Sequence, residues 1–196
     1  MNVVLLKYNA GNIQSVLYAL ERIGVTATVT DDHEQIRSAD KVLFPGVGEA
    51  YSAMQSLKEK NLDQLIKELK QPVLGICVGL QLLCKHSEER DTEGLGVFDV
   101  NVKKFPSVGI KVPQIGWNDI YNLQTDLFAG LSENSYVYFV HSYYAELHEE
   151  QTIATAKYFD EYSAALQKDN FYGVQFHTEK SADVGDRILK NFMALK

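Results

Sequence analysis

Segment 72–83 constrains the fold of this chain more than any other stretch. Residues 73–76 form an apolar run typical of a buried strand, and residues 80–83 are good helix formers. Cys77 lies between the two halves, with a glycine two residues away on either side. Because a sharp strand-to-helix turn leaves no space for flanking side chains, this pattern predicts such a turn with the thiol at its apex. The free amides at the start of the next helix would favour a thiolate there, although the same pattern also suits a buried, inert cysteine.

A second stretch, residues 172–181, supplies what a reactive thiol needs. His177 could act as the base, and Glu179 two residues later would lie on the same side of an extended backbone. A carboxylate in that place can hold the imidazole in one tautomer and stabilise its charged form. On its own the pair would also fit a solvated strand end. With Cys77 it predicts a Cys-His-Glu triad for acyl transfer.

Strands and helices alternate through the first half of the chain. Residues 2–8, 25–29 and 42–44 have the apolar, β-branched pattern of buried strands. Asn12 fits a helix N-cap, and an apolar stripe with helical spacing then extends to Gly24. This alternation predicts parallel pairing in a doubly wound sheet, whose sites lie beyond the carboxyl ends of the strands.

Loop 45–48, with the sequence Pro-Gly-Val-Gly, follows the third strand and should therefore face Cys77. A glycine-rich backbone can present an amide to a developing oxyanion, and the amide of Val78 would be a second donor. The same glycines would also suit an ordinary turn. Two helical patterns follow within residues 49–70, and Pro72 closes the second.

The second half of the chain has a different pattern. Residues 87–94 predict a charged, exposed loop. The chain ends in an amphipathic helix that Ser181 or Asp183 would cap. No repeat or linker interrupts residues 1–196, so we expect a single domain. Further strands are predicted at residues 97–102, 110–114, 136–144, 152–159 and 163–167.

Composition argues against several classes of function. With 196 residues, of which 45% are hydrophobic, the chain is long enough for a substantial core. Its formal net charge of -7 argues against nucleic-acid binding. The two cysteines, Cys77 and Cys84, lie on the predicted elbow and the helix after it, which suits a reducing compartment better than a disulfide framework. We see no signal-peptide pattern and no membrane-length apolar run, and therefore expect a soluble, cytoplasmic protein.

The two motifs together resemble those of the class I glutamine amidotransferases. Residues 75–81 and 173–179 carry the likeness. The resemblance covers nearly the whole chain, with each motif in the family's order. It implies an α/β, flavodoxin-like three-layer sandwich with a mostly parallel central sheet and an added antiparallel strand region in the second half. Further segments, at residues 45–48, 116–118, 138–143 and 179–181, narrow the likeness to the glutaminase subunits of imidazole glycerol phosphate synthase.

The resemblance also implies roles for individual residues. Cys77 would be the nucleophile, His177 the base and Glu179 the orienting carboxylate in glutamine hydrolysis through a γ-glutamyl thioester. The oxyanion donors would be the amide of Val47 or Gly48 together with that of Val78. No metal or organic cofactor is implied. The residues expected to bind glutamine are Gly46, Gln81, His141, Ser142 and Tyr143.

A glutaminase of this size has no room for a synthase site of its own, so its ammonia must pass to another protein. The resemblance implies a heterodimer with a (β/α)8-barrel cyclase. That cyclase would use the ammonia to make imidazole glycerol phosphate and AICAR in histidine biosynthesis. The residues expected at the interface are Asn12, Trp117, Asn118, Tyr138 and Lys180.

Three positions depart from the family pattern. Lys7 and Asn9 replace the usual acidic residue and glycine of the first loop, although Gly11 and Asn12 are retained. They weaken the expectation of interface roles in that loop. Thr178 stands where proline is more usual, which should loosen the loop slightly without removing a catalytic side chain.

Three other functions fit the same residues. The chain could be another class I glutaminase, serving anthranilate, aminodeoxychorismate or pyridoxal phosphate synthesis. It could be a catalytically inactive binding module, although such a module would have no need for an intact triad. It could also be a thiol-dependent hydrolase that acts without a partner. Ammonia transfer, thioester trapping and dependence on a partner would separate these alternatives.

Overall fold

A computed structural model describes residues 1–9 and 12–196. Gly11, predicted to keep the family pattern in the first loop, lies outside the described residues. Two short 3₁₀ turns cover Asp126–Phe128 and Thr178–Lys180. The helices are α1 (Ile13–Arg22), α2 (His33–Arg37), α3 (Ala50–Glu59), α4 (Leu62–Glu68), α5 (Val78–Leu83) and α6 (Ala182–Ala194). The strands are β1 (Val3–Leu6), β2 (Ala27–Thr30), β3 (Lys41–Gly46), β4 (Val73–Cys77), β5 (Cys84–Ser87), β6 (Thr92–Glu93), β7 (Phe98–Lys104), β8 (Gln114–Ile120), β9 (Ser135–His141), β10 (Tyr143–Ala145), β11 (Thr152–Lys157), β12 (Glu161–Lys168) and β13 (Phe171–Val174).

Parallel strands form one half of the large sheet, in the order β2-β1-β3-β4-β13. Strands β1, β3 and β4 are buried along their whole length, as expected where helices cover both faces. The connection from β1 to β2 runs toward one edge of the sheet, and the connection from β3 to β4 runs toward the opposite edge. Because such crossovers are right-handed, α1 and the pair α3 and α4 lie on opposite faces. The predicted three-layer arrangement is therefore confirmed.

The other half of the large sheet is mostly antiparallel, in the order β13-β12-β10-β7-β5-β6, with β11 also paired to β12. Only β5 runs parallel to its neighbour β7 among the described strands of this half. Burial alternates along β7, which is typical of a sheet with one solvated face. This half is the antiparallel region predicted for the second part of the chain.

Strands β8 and β9 form a separate two-stranded sheet, in which Trp117 pairs with Tyr138. This sheet is tied to the segment after β13 by its backbone. The amide of His177 donates to the carbonyl of Tyr138 at 2.9 Å. Ser181 Oγ accepts from the amide of Tyr138 at 3.0 Å and donates to the carbonyl of His177 at 2.6 Å. Tyr138 therefore links the small sheet to the His177 segment through both its backbone carbonyl and its backbone amide.

Several predicted boundaries are wrong. The strand predicted at 110–114 begins only at Gln114, because Pro113 has no N–H for the ladder, and it continues through Trp117 to Ile120. The strand predicted at 136–144 is broken at Ser142 into β9 and β10. Cys84 is not on the elbow helix but is the first residue of β5.

Other local expectations also need correction. Segment 87–94 is only partly an exposed loop, because β5 and β6 pair across it and Ser87 and Thr92 are buried. Asn12 and Ser181 occupy N-cap positions, but neither side chain makes a cap hydrogen bond to a described residue. The hydroxyl of Ser181 is instead used in the link to His177.

Candidate active site

The turn predicted around Cys77 is present between β4 and α5. Cys77 has φ 55° and ψ −109°, a conformation that L residues rarely adopt. The first turn of α5 packs directly on β3, since a Cβ on Gly79 would lie 1.8 Å from the carbonyl oxygen of Phe44. Glycine is therefore required at that position. Cys77 is 3% exposed and faces a cavity.

His177 and Glu179 form the predicted pair, although not in the predicted way. His177 Nδ1 lies 2.7 Å from Glu179 Oε1, and both side chains are buried. The backbone is not extended between them, because residues Thr178–Lys180 make a 3₁₀ turn closed by the Lys180 amide on the His177 carbonyl. Thr178, at the position that departs from the family pattern, is fully buried within this turn.

The surroundings of His177 favour its charged form. Burial lowers the pKa of His177, but hydrogen bonds to Cys77 and Glu179 outweigh it and raise the pKa to about 10. A proton taken from the thiol would therefore be held firmly on the imidazole. The arrangement suits a thiolate–imidazolium pair, which is the activated state of a cysteine nucleophile.

Two further groups contact the sulfur. Gln175, fully buried just after β13, has its Nε2 3.8 Å from Cys77 Sγ. The carbonyl oxygen of Val140 lies at the same distance of 3.8 Å. The first group can donate to a thiolate, whereas the second can only accept from a thiol.

Loop 45–48 lies beside the nucleophile, as predicted. Gly46 pairs with Cys77 in the β3–β4 register, and Val47 and Gly48 come directly after it. Gly48 has φ 95°, which glycine adopts without strain. The buried hydroxyl of Tyr8 donates to the carbonyl of Pro45 at 2.7 Å and so holds the base of the loop.

A cavity of about 290 Å³ opens over Cys77 and His177. Three lining residues had no predicted role in the site: Glu89, Pro113 and Val140. Gly46 was predicted to line it, but it is buried and does not appear among the described lining residues. The predicted residues that do line the cavity are Val47, Gly48, Val78, Gln81, His141, Ser142, Tyr143 and Lys180.

The amide of Gln81 is oriented by its neighbours. Its Nε2 donates to the carbonyl of Tyr143 at 2.9 Å and to Gln175 Oε1 at 3.0 Å. Both of its N–H groups are thus used inside the protein. The oxygen of Gln81 is the group left for a ligand in the cavity.

His141 is held by internal partners on both ring nitrogens. Nδ1 lies 2.8 Å from the carbonyl of Tyr143, and Nε2 lies 3.0 Å from Gln114 Oε1 and 3.4 Å from the hydroxyl of Tyr162. Burial lowers the pKa of His141 to about 4, although the Tyr143 carbonyl opposes the shift. His141 is therefore neutral near pH 7 and shapes the 141–143 turn.

Glu89 brings a carboxylate to the rim of the cavity. Its Oε2 accepts from the amide of Ala50, at the start of α3, at 2.6 Å. Burial raises the pKa of Glu89, although the hydrogen bond from Ala50 opposes the shift. Its sequence neighbourhood is a run of charges that resembles any solvated loop, so no local signal distinguished it from Glu88.

Three of the predicted interface residues form one surface, which we call the aromatic ridge: Trp117, Tyr138 and Lys180. The rings of Trp117 and Tyr138 lie 5.8 Å apart, and Lys180 Nζ lies 5.9 Å from the Tyr138 ring centre. Tryptophan has the largest side chain of any residue, and yet Trp117 is 52% exposed. Lys180 also lines the cavity, so the ridge begins at the rim of the site.

The other two predicted interface residues lie apart from the ridge. Asn118 donates its side-chain amide to the carbonyl of Lys157 at 2.9 Å and so ties β8 to the end of β11. Asn12, half-buried, lies at the start of α1, next to the residues that the structure does not describe.

Two other features are missing from the described ranges. No helix there is long and apolar enough to cross a membrane. Among the same residues no three His, Cys, Asp or Glu side chains are grouped so that they could hold a metal ion.

Comparison with known proteins gives consistent similarities. The family described as "Glutamine amidotransferase class-I" matches residues 4–195. A protein of Bacteroides fragilis named "Imidazole glycerol phosphate synthase subunit HisH" is 55% identical over 197 aligned residues, covering 100% of both chains. A protein of the same name from Shewanella loihica is 47% identical, covering 99% of this chain and 91% of that protein.

The fold is also found in solved structures. A structure described as a glutamine amidotransferase superimposes with a TM-score of 0.76 at 19% identity, covering 99% of this chain and 98% of that one. A glutamine amidotransferase from Thermotoga maritima gives a TM-score of 0.64 at 18% identity, covering 99% of this chain and 83% of that one. At this level of identity the likeness concerns the fold alone.

Proposed function

Because this chain belongs to the class I glutamine amidotransferase family, we propose that it hydrolyses glutamine to glutamate and ammonia at Cys77. Its full-length likeness to the HisH proteins makes it the glutaminase subunit of imidazole glycerol phosphate synthase, in histidine biosynthesis. The observation that carries the chemistry is that Cys77 and His177 line one cavity, with Glu179 buried behind them and its Oε1 2.7 Å from His177 Nδ1.

The first half-reaction forms a thioester. His177 takes the thiol proton, and Cys77 Sγ attacks the side-chain amide carbon of glutamine. The resulting oxyanion accepts hydrogen bonds from the amide of Val78 and from that of Val47 or Gly48. His177 then returns the proton to the amide nitrogen, the C–N bond breaks, and ammonia leaves the γ-glutamyl thioester.

The second half-reaction releases glutamate. His177 takes a proton from water, which attacks the thioester carbon, and the sulfur leaves as a thiolate. Glu179 accepts the hydrogen bond of His177 Nδ1 and holds the imidazole in the orientation that both steps need.

The cavity has suitable partners for the two ends of the amino acid. The oxygen of Gln81 and the carboxylate of Glu89 suit the α-ammonium group, because both are acceptors. Ser142 and Tyr143 lie on the turn that would hold the α-carboxylate. His141 supports this turn through the Tyr143 carbonyl rather than by direct contact, since both its ring nitrogens have internal partners.

The ammonia passes to a cyclase partner of (β/α)8-barrel form, with which the chain makes a heterodimer. The aromatic ridge supports this assignment, because an exposed tryptophan packed beside a half-buried tyrosine is the kind of residue pair that is enriched at interface centres. The ridge adjoins the cavity, so a partner seated on it would receive ammonia close to where it forms. The carbonyl of Tyr138 also accepts a hydrogen bond from the amide of His177, which would couple docking to catalysis.

Glutaminase activity of the isolated chain, and of the chain with the cyclase and its ligand, tests the proposal. We expect little activity alone, strong stimulation by the liganded cyclase, and transfer of the ammonia into imidazole glycerol phosphate. Cys77→Ala should be inactive in every condition. Cys84→Ala is the matched control, because that thiol is fully buried in β5 and should leave activity intact.

Three outcomes would contradict the proposal. Full activity without the cyclase would indicate a hydrolase that acts alone. Stimulation by the partner of anthranilate or aminodeoxychorismate synthesis, but not by the cyclase, would indicate another class I glutaminase. Failure to trap a [¹⁴C]glutamyl thioester on acid quenching in all conditions would indicate a binding module.

A further inference from the structure

The side chain of Gln175 lies against the reactive sulfur, yet the reaction described above does not use it. Gln175 is fully buried, and its backbone amide donates to the carbonyl of Ala164 at 2.8 Å, which fixes its place beside β12. Its Nε2 lies 3.8 Å from Cys77 Sγ, within hydrogen-bonding range of the large sulfur atom. A buried amide in such a place needs partners for both of its ends.

The surrounding hydrogen bonds fix which way this amide points. The carbonyl of Tyr143 can only accept, so Gln81 must turn its NH₂ group toward it. The same NH₂ group donates to Gln175 Oε1 at 3.0 Å. Gln175 therefore has its oxygen toward Gln81 and its NH₂ toward the sulfur. The hydrogen-bond network therefore sets the orientation of the Gln175 amide.

The two polar neighbours of the sulfur favour opposite protonation states. The carbonyl of Val140, at 3.8 Å, accepts from the protonated thiol and repels the anion. The N–H of Gln175 favours the thiolate, because a hydrogen bond is stronger when its acceptor carries a negative charge. The anionic sulfur occurs twice in the cycle, before the attack on glutamine and when the thioester breaks.

We propose that Gln175 stabilises the thiolate of Cys77 directly and, by holding Gln81, fixes the hydrogen-bonding polarity of the substrate cavity. The inference rests on the proposed thioester chemistry at Cys77. The two effects are separable, because the first acts on the sulfur and the second on the binding of glutamine.

Alkylation of Cys77 by iodoacetamide as a function of pH tests the first effect in the isolated chain. The experiment is done in a Cys84→Ala background, where Cys77 is the single cysteine of the chain, and mass spectrometry reports its rate. Gln175→Met keeps the shape but removes the N–H, and should move the pH midpoint of alkylation upward by roughly half to one unit. Gln175→Glu, which places a carboxylate beside the sulfur, should move it further in the same direction.

Gln151→Met is the matched control. Gln151 is also buried and its amide oxygen accepts a backbone hydrogen bond, from Asp99 at 3.2 Å, but it directly precedes β11 and is not among the described lining residues of the cavity. Its replacement should leave the alkylation midpoint unchanged. A folded Gln175→Met or Gln175→Glu protein with the midpoint of the parent chain would overturn the inference, and either variant suffices if the other does not fold.

Steady-state kinetics of the complex with the cyclase test the second effect. Gln81→Met removes the link but leaves the Gln175 N–H on the sulfur, so it should raise KM for glutamine about tenfold while moving the alkylation midpoint little. Gln175→Met should lower kcat as well. Equal effects of both variants on the alkylation midpoint would contradict the proposed division of roles. Because alkylation needs no glutamine, its outcome stays informative even if the glutaminase proposal fails.

Discussion

Glu179 contributes to the site through one oxygen atom. The 2.7 Å contact of Glu179 Oε1 with His177 Nδ1 requires an acceptor at that position. Glu179→Gln keeps the shape but can offer an N–H there, which would favour the wrong imidazole tautomer. We expect kcat of the complex to fall by about 10²- to 10⁴-fold with the fold intact, as measured by glutamate release.

Glu161→Gln is a suitable control for this change. Glu161 Oε1 also accepts a hydrogen bond, from Tyr121 at 2.7 Å, but it is exposed and lies at the start of β12. Its replacement should leave kcat within about twofold. A similar kcat for both variants would mean that Glu179 does not orient His177.

His141 should make stability depend on pH. The pKa of His141 is about 4 in the folded chain, below its usual value of 6.5. Between these two values the unfolded chain binds a proton that the folded chain excludes, so stability present above about pH 6.5 is lost as the pH falls toward 4. His141→Gln cannot lose stability in this way. The difference in the free energy of unfolding between the parent chain and the variant should therefore shrink by on the order of 1–3 kcal/mol from pH 7 to pH 4.5.

Urea denaturation at the two pH values measures this difference. Phe139→Leu provides the control, because Phe139 packs on the His141 ring at 5.4 Å but has no titrating group. Its cost should be the same at both pH values. A constant difference between the parent and His141→Gln would show that His141 titrates alike in the folded and unfolded chains.

At the scale of single residues, the sequence predicted what local pattern encodes. The nucleophile was predictable because Cys77 and its two glycines specify the turn within five positions. Gln175 and Glu89 were not, because their importance depends on distant partners. Gln175 contacts Cys77 across 98 positions of the chain, and no sequence pattern around either residue predicts that contact.

At the scale of elements, the packing of α5 on β3 should tolerate no side chain at position 79. A Cβ on Gly79 would lie 1.8 Å from the backbone oxygen of Phe44, which cannot move without breaking β3. We expect Gly79→Ala to lower the free energy of unfolding by more than about 3 kcal/mol, because backbone rather than a side chain must give way. Thermal and urea denaturation measure the loss.

A second glycine serves as the comparison. The three atoms nearest to a Cβ on Gly173, in β13, would all belong to the side chain of Leu80, at 3.0–3.1 Å. Because a leucine side chain can shift, Gly173→Ala should cost about 1–2 kcal/mol. Equal losses for the two variants would mean that the elbow has more freedom than its geometry indicates.

The elements themselves were largely predictable, and their ends were less so. Apolar runs placed β1, β3 and β4, and β-branched residues placed β2. Periodicity failed near β8, where the apolar residues before Pro113 continue the alternating pattern although the ladder cannot start until Gln114. It also failed between His177 and Glu179, where a local hydrogen bond from the Lys180 amide to the His177 carbonyl closes a 3₁₀ turn over residues that are compatible with a strand.

At the scale of the whole molecule, the aromatic ridge should decide partner affinity. Trp117 is 52% exposed and contributes little to the core, so Trp117→Ala should leave the free energy of unfolding nearly unchanged. We expect it to weaken binding of the cyclase by roughly 10- to 100-fold, as is usual for a central aromatic residue of an interface. Isothermal titration calorimetry of the two proteins measures Kd.

Leu147→Ala is the control for this experiment. Leu147 is 48% exposed, similar to Trp117, but lies in the loop after β10 and outside the ridge. Its loss should not change Kd. If both variants bind like the parent chain, the cyclase docks elsewhere on the molecule.

Trp117 is also the single tryptophan of the chain. Its indole is half in water, 5.8 Å from the Tyr138 ring, on the strand pair that hydrogen-bonds to His177. Its fluorescence emission therefore comes from one known place at the rim of the site. Burial of this indole should shift the emission to shorter wavelength, so the assembly of the complex can be followed in real time without a label.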